Sequence, residues 1–349
     1  MLRHIVHHPL AGASISLTTE SRTQSFISPE SKSVDTPHTQ PRLSMQRPAR
    51  RASRRQRIEA INAYIFMAPA ILGLLLFTLG PMAASFLLSF TEYNILTDPR
   101  WNGLANYEKL FNDKLFWQSL RVSAIYSIVS VPLGLTIALG LALLLNHKMR
   151  GIMVFRSVYY LPTVISGVGV AMLWRWLFNG DFGIINVLLR GVGIRGPNWL
   201  FDETWALVAL IIASLWGIGG TMLIFLAGLQ GIPQELYEAA EIDGAGRWRQ
   251  FSSITLPMIS HVTFFNLVLG VIGALQVFTD AYVITGGGPN NATLFLSVYL
   301  YRHAFQYLNF GYAAAVAWVL FLIVLALTLL VFKSSPLWVY YESERPGRG

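Results

Sequence analysis

Six separate stretches of this chain each run for roughly 20 or more mainly apolar residues, the length an α-helix needs to cross the hydrocarbon core of a bilayer. They lie at about Asn62 to Phe90, Ser119 to Leu145, Met153 to Phe178, Trp205 to Leu229, Ser260 to Ile284 and Tyr312 to Phe332. No water is available inside a membrane to satisfy backbone N–H and C=O groups, so apolar runs of this length fold as helices. The expected fold class is all-α, a polytopic membrane protein with about six transmembrane helices. Composition agrees: 13% of the 349 residues are charged and 54% hydrophobic, too little charge to cover a soluble surface. The first stretch is long enough to tilt, or to kink at Pro81.

The formal net charge is +8. The basic residues do not form a nucleic-acid patch; they sit in an N-terminal block and in short loops beside the apolar runs, where they set topology. With six spans, one side collects the N-terminal block, Lys148, Arg150, Arg156, Arg247, Arg249, Lys333, Arg345 and Arg348. That side is expected to be the cytoplasm, with both termini on it. Residues 1–56 are rich in Ser, Thr, Pro and Arg and read as a disordered basic extension. Residues 57–334 read as the transmembrane domain and 335–349 as a cytoplasmic tail. Met45, just before the basic run from Arg47 to Arg57, is the expected true start.

The chain has no cysteine, which excludes disulfides, thiolate metal sites and cysteine nucleophiles. The His residues lack metal-ligand spacing, so no metal is expected; His147, His261 and His303 read as span-end residues. Trp174 and Trp176 read as interfacial anchors. Asn291-Ala292-Thr293 matches a glycosylation sequon, which would carry little meaning if the chain is bacterial. The loops on the outer side, 179–204 and the one through Gly286-Gly287-Gly288-Pro289-Asn290, read as turns and interfacial segments. No internal repeat is visible, which weakens a secondary-transporter architecture of two matching halves.

The loop between the fourth and fifth stretches carries the most information. Pro233 suits the first turn of a helix, and Gly244 supplies a left-handed residue to end it. Leu236, Ala239 and Ala240 lie close together on this short helix, while Glu235, Glu238 and Glu241 stay polar. After Gly246, Trp248, Phe251 and Ile254 or Thr255 recur at helical spacing beside Arg247 and Arg249, and Pro257 is expected to stop this second helix. Such an amphipathic unit either lies on the membrane surface or inserts into a groove on a soluble partner.

Glu238-Ala239-Ala240, three residues, Gly244, nine residues, then Ile254-x-Leu256-Pro257 resembles the EAA loop of permease subunits in binding-protein-dependent ABC importers. The resemblance covers nearly all of the chain after Met45. It is closest to sugar-type permeases, such as those for maltose and glycerol 3-phosphate, on the strings 174–178, 223–230 and 285–289.

The resemblance implies a cytoplasmic coupling helix docked in a cleft of a separate ATPase. Glu238 would contact the ATPase, Ala239 and Ala240 would pack closely, and Gly244 would form the turn, with Ile254, Leu256 and Pro257 completing the loop. It also implies the partners: a second permease subunit, two ATPase subunits, an extracytoplasmic solute-binding protein and membrane lipid, in a bacterial inner membrane. The chain lacks a phosphate-binding Gly-x-x-x-x-Gly-Lys-Ser/Thr loop. It is therefore expected to be no enzyme and to hold no cofactor, with ATP and Mg bound by the partner ATPase. The expected solute is a sugar or oligosaccharide, with a glycerol-phosphate or polyol importer as the alternative and a secondary transporter or channel subunit further off. In the fifth stretch Asn266, Gln276 and Asp280 project within about 80° of one another at roughly 100° per residue, which makes them candidate pathway residues; the other reading is inter-helix hydrogen bonding for Asn266 and Gln276 and plain hydration near the external end for Asp280. Tyr282 serves either to stack a sugar ring or to anchor the chain at the interface.

Overall fold

The computed structural model describes residues 54–147 and 150–340. The expected N-terminal extension before Arg54, with Met45, lies outside the described residues, as do Lys148 and residues 341–349. The chain divides into two units at residue 65; in the first, the described residues are helical from Arg54.

Three helical segments are long and apolar enough to cross a bilayer singly: Ile61–Leu88, Lys114–Leu145 and Phe310–Leu337. Three more spans are helix pairs, Ile152–Val164 with Gly167–Leu177, Glu203–Gly217 with Gly219–Gln230, and Arg247–Met258 with Ser260–Leu275, bent by 98°, 48° and 62°. Together they make up to six crossings of an all-α membrane protein, in the expected order. Large apolar side chains remain uncovered along them, Phe66 at 85% and Phe77 at 83% exposure among them, apolar surface of the kind a bilayer covers.

Proline governs two of the irregularities by one device. In the first span Pro81 follows a π turn, Leu75–Leu79, whose closing bond runs from Gly80 N–H to Leu75 O. Pro257 likewise follows the π turn Phe251–Thr255, closed by Leu256 N–H to Phe251 O. A proline ring collides with the carbonyl four residues back, and one wider turn moves that carbonyl aside, so the helix continues. Pro257 therefore does not stop the second loop helix, which runs to Met258.

The third span departs furthest from expectation. Pro162 opens a 3-10 turn, Leu161–Val164, and Ile165 and Ser166 are then extended (ψ 144° and 127°) before Gly167 restarts the helix. The expected single crossing from Met153 to Phe178 is thus two limbs at a sharp angle. The fourth span fits against it at Gly219, where an added Cβ would stand 2.1 Å from Tyr159 O. Only glycine admits that approach.

Two apolar clusters hold the bundle. One gathers Ala138 and Ala142 of the second span with Met222, Phe225 and Leu229 of the fourth and Ile259 and Val262 of the fifth. Ala138 and Ala142, one helical turn apart and fully buried, let the helices close tightly. The other spans Phe116, Tyr126, Leu210, Leu275, Phe295, Tyr299 and Tyr312. The segment expected to be a surface turn after Gly286 contributes to it: Leu294, Phe295 and Leu296 are fully buried, and the helix Leu296–Tyr301 packs against the second and sixth spans. Short antiparallel strands pair Thr91 with Trp101 and Glu92 with Arg100.

Candidate coupling loop and pathway residues

The loop after Gln230 folds as a helix, a left-handed turn and a second helix. Pro233 caps the helix Gln234–Ile242, preset near the φ that a helix start requires. Gly244, at φ +73°, ends it. Gly244 N–H donates to Glu241 O (3.0 Å) and Ala245 N–H to Ala240 O (2.8 Å), the paired bonds of a Schellman turn. Nothing lies within 4 Å of where a Cβ of Gly244 would stand, so the glycine answers to backbone conformation and not to crowding. The turn re-aims the chain into Arg247–Met258, and Gln250 secures it by donating from Nε2 to Ala245 O at 3.1 Å. The two helices are joined once more where the hydroxyls of Tyr237 and Thr255 meet at 2.8 Å.

This arrangement presents Glu238 and Ala239 to the outside with Ala240 half-buried. It also leaves apolar surface uncovered: Ile242 is 87% and Trp248 78% exposed. Ile254 is half-buried, Leu256 is exposed, and Pro257 stands inside the second helix.

The pathway candidates do not share one helix. The fifth span ends at Leu275, Gln276 is its exposed cap residue, and Asp280 leads into a separate π turn, Ala281–Thr285. Projection at 100° per residue fails beyond Leu275 because the chain there is no longer α-helical. Asn266 lies in a cavity of about 230 Å³ lined by Val131, Gly134, Ile218, Thr221 and Gly270. It is 3% exposed, and its Nδ2 has no hydrogen-bond partner. Tyr282 belongs to an aromatic group, stacked on Phe278 at 5.3 Å and edge-on to Tyr301 at 5.0 Å.

Residues 130–335 match the family described as the binding-protein-dependent transport system inner membrane component. The chain belongs to this family. It is 46% identical over 301 residues to the probable ABC transporter permease protein YesP of Bacillus subtilis, covering 85% of this chain and 97% of that protein. It is 39% identical over 283 residues to the lactose transport system permease protein LacF of Rhizobium radiobacter, covering 79% of this chain and 94% of that one. A chain in the crystal structure of a bacterial ABC transporter involved in import of the acidic polysaccharide alginate superposes with a TM-score of 0.73 at 25% identity, covering 81% of this chain and 97% of that chain. The chain is therefore a multi-pass inner-membrane permease subunit of a multi-subunit ABC import system, and not itself an enzyme.

Several features of the permease were not visible in the sequence. Trp174, expected at the interface, is half-buried, stacks on Phe178 at 5.1 Å and meets Trp216 edge-on at 5.9 Å. The sequon is occupied by packing: Thr293 is fully buried and Asn291 Oδ1 accepts from Arg302 Nη1. Arg302 also donates from Nη2 to Gly286 O at 2.6 Å, closing the glycine-rich turn. Asp113 caps the second span through Leu115 N–H and accepts from the Tyr299 hydroxyl at 2.6 Å, which in turn meets the Tyr312 hydroxyl at 2.7 Å. Burial and the bond to Asp113 push the Tyr299 phenol up. His303 packs among Tyr299, Tyr307 and Tyr312, and burial pushes its imidazole down to about 4, with Lys109 adding to the shift and Asp113 opposing it. Among the described residues no group of three His, Cys, Asp or Glu side chains could hold a metal ion.

Proposed function

We propose that this permease carries a sugar or oligosaccharide across the bacterial inner membrane and couples that movement to a separate ATPase through the loop from Glu238 to Pro257. The observation that carries the reading is the Schellman turn at Gly244. It holds a short helix with Glu238 and Ala239 outward and with Ile242 and Trp248 uncovered, a shape suited to a groove on a soluble partner. In this reading two ATPase subunits bind ATP and Mg, a second permease subunit completes the path, and an extracytoplasmic binding protein delivers solute. The coupling loop and both termini face the cytoplasm. Support for one side comes from Tyr340 N–H, which donates to Ser260 Oγ and so brings the end of the sixth span to the end of the loop. The sugar class rests on the kinship with proteins described as lactose and alginate transport components. Asn266, Gln276, Asp280 and Tyr282 are the proposed solute contacts, with Asn266 the foremost because its unpaired amide faces a cavity.

The test is co-purification of an ATPase with the tagged chain, followed by uptake measurements on Gly244→Asp. An ATPase that stays bound to the native chain and loss of uptake in the inserted variant are expected. Undiminished uptake with Gly244→Asp would refute the loop assignment.

A further inference from the structure

The fifth span bends by 62° between Met258 and Ser260, at the junction of the loop and the long limb Ser260–Leu275. A bend of this kind is a weak point. Pro257 has no N–H to give, so one ladder bond is absent there, and Ile259 leaves the helical range at ψ 4°, where force from the loop would have to pass.

The side chain of Ser260 occupies that point. It is 6% exposed, and its Oγ donates to Pro257 O at 2.6 Å, spanning the break. The same oxygen accepts the backbone N–H of Tyr340 at 2.8 Å, from a residue that follows the sixth span. Around this bond Val339 is 8% exposed, and Phe264 of the fifth span lies between Phe332 at 5.0 Å and Trp338 at 6.0 Å. On the other side of the bend, Ile259 N–H donates to Thr255 O at 3.0 Å, and Thr255 Oγ1 meets the Tyr237 hydroxyl of the loop helix. Hydrogen bonds thus link Tyr237 to Thr255 and Thr255 to Ile259, the peptide bond carries the line on to Ser260, and a further hydrogen bond links Ser260 to Tyr340.

We infer that Ser260 is a positioning residue for energy coupling: with the Trp338–Tyr340 segment it clasps the bend of the fifth span, so that displacement of the loop moves the fifth and sixth spans together. Without the clasp the bend flexes, and motion of the loop is absorbed before it reaches the spans. This inference rests on the coupling role proposed above for the loop.

The chemistry permits a selective test, because the donor from Tyr340 is its backbone N–H. Tyr340→Pro deletes the donor and leaves Ser260 intact, whereas Tyr340→Ala keeps it. Ser260→Ala deletes the hydroxyl, and Ser260→Thr restores one. Each variant is measured in the complete transporter in proteoliposomes for solute moved per ATP hydrolysed, with subunit co-purification as the check on assembly. In Ser260→Ala and Tyr340→Pro the ratio is expected to fall about fivefold, the scale of one intramolecular hydrogen bond, with ATP hydrolysis retained. Ser260→Thr and Tyr340→Ala are expected to match the native ratio. An unchanged ratio in both Ser260→Ala and Tyr340→Pro, while Gly244→Asp abolishes uptake, overturns the clasp and leaves the loop reading standing. Normal uptake with Gly244→Asp overturns both.

Discussion

The hydroxyl of Tyr237 lies 2.8 Å from Oγ1 of Thr255, across the turn that separates the two helices of the loop. Thr255 is 5% exposed and sits in the π turn that admits Pro257. With the Schellman turn at Gly244 and the Gln250 bond to Ala245 O, this contact ties the first helix to the second while Glu238 and Ala239 face outward.

Tyr237→Phe and Thr255→Val should each lower stability by about 1 kcal/mol, and the double variant should cost little more than either alone, since both remove the same bond. Thermal unfolding of the chain in nanodiscs measures this. Fully additive losses would mean that the two hydroxyls do not act as a pair.

Replacing Gly219 should separate the third and fourth spans. A Cβ there would stand 2.1 Å from Tyr159 O, a backbone atom that cannot rotate away. Gly219→Ala should cost about 1–3 kcal/mol by overpacking, and Gly219→Val more. Protease sensitivity of the third span, followed in detergent, reports the separation; native resistance in Gly219→Val would contradict it.

Asn266→Leu should divide stability from transport. Its Nδ2 is buried without a partner, so a near-isosteric apolar replacement should leave thermal stability equal or raise it by about 1–3 kcal/mol. Uptake should fall on the order of tenfold if the amide meets solute in the cavity. Uptake at the native level would remove Asn266 from the path.

Acid should loosen the cluster around His303. Its folded pKa, about 4, is below the ordinary 6.5, so the unfolded chain binds the extra proton between those values. The contribution of neutral His303 is fully present above pH 6.5 and is lost as pH falls toward 4. The groups that meet it are Tyr299, Tyr307, Tyr312, Asp113 and Lys109. His303→Gln should flatten the dependence of the melting temperature on pH over that window, and an unaltered slope would assign the effect elsewhere.

Much of the loop was legible because its signals are local. Pro233 before a helix and Gly244 after it act through φ alone, and both act as the residue types require. The pathway was not legible in the same way. The stripe of Asn266, Gln276 and Asp280 assumed one helix, and the helix stops at Leu275. Likewise the apolar residues Leu294 to Leu296 follow a glycine-rich turn and gave no sign that they would be fully buried between spans.

The sequence by itself determined that this chain crosses the membrane as helices, because apolar length and unsatisfied backbone leave no other solution, and it determined the helix-turn-helix of the loop, because proline and glycine set backbone angles without help from neighbours. Only the tertiary structure decided where the spans bend, which polar groups meet, and that Tyr340 reaches Ser260 at the elbow of the fifth span. Those contacts join residues far apart in the chain, and their energy exists only once the helices have packed.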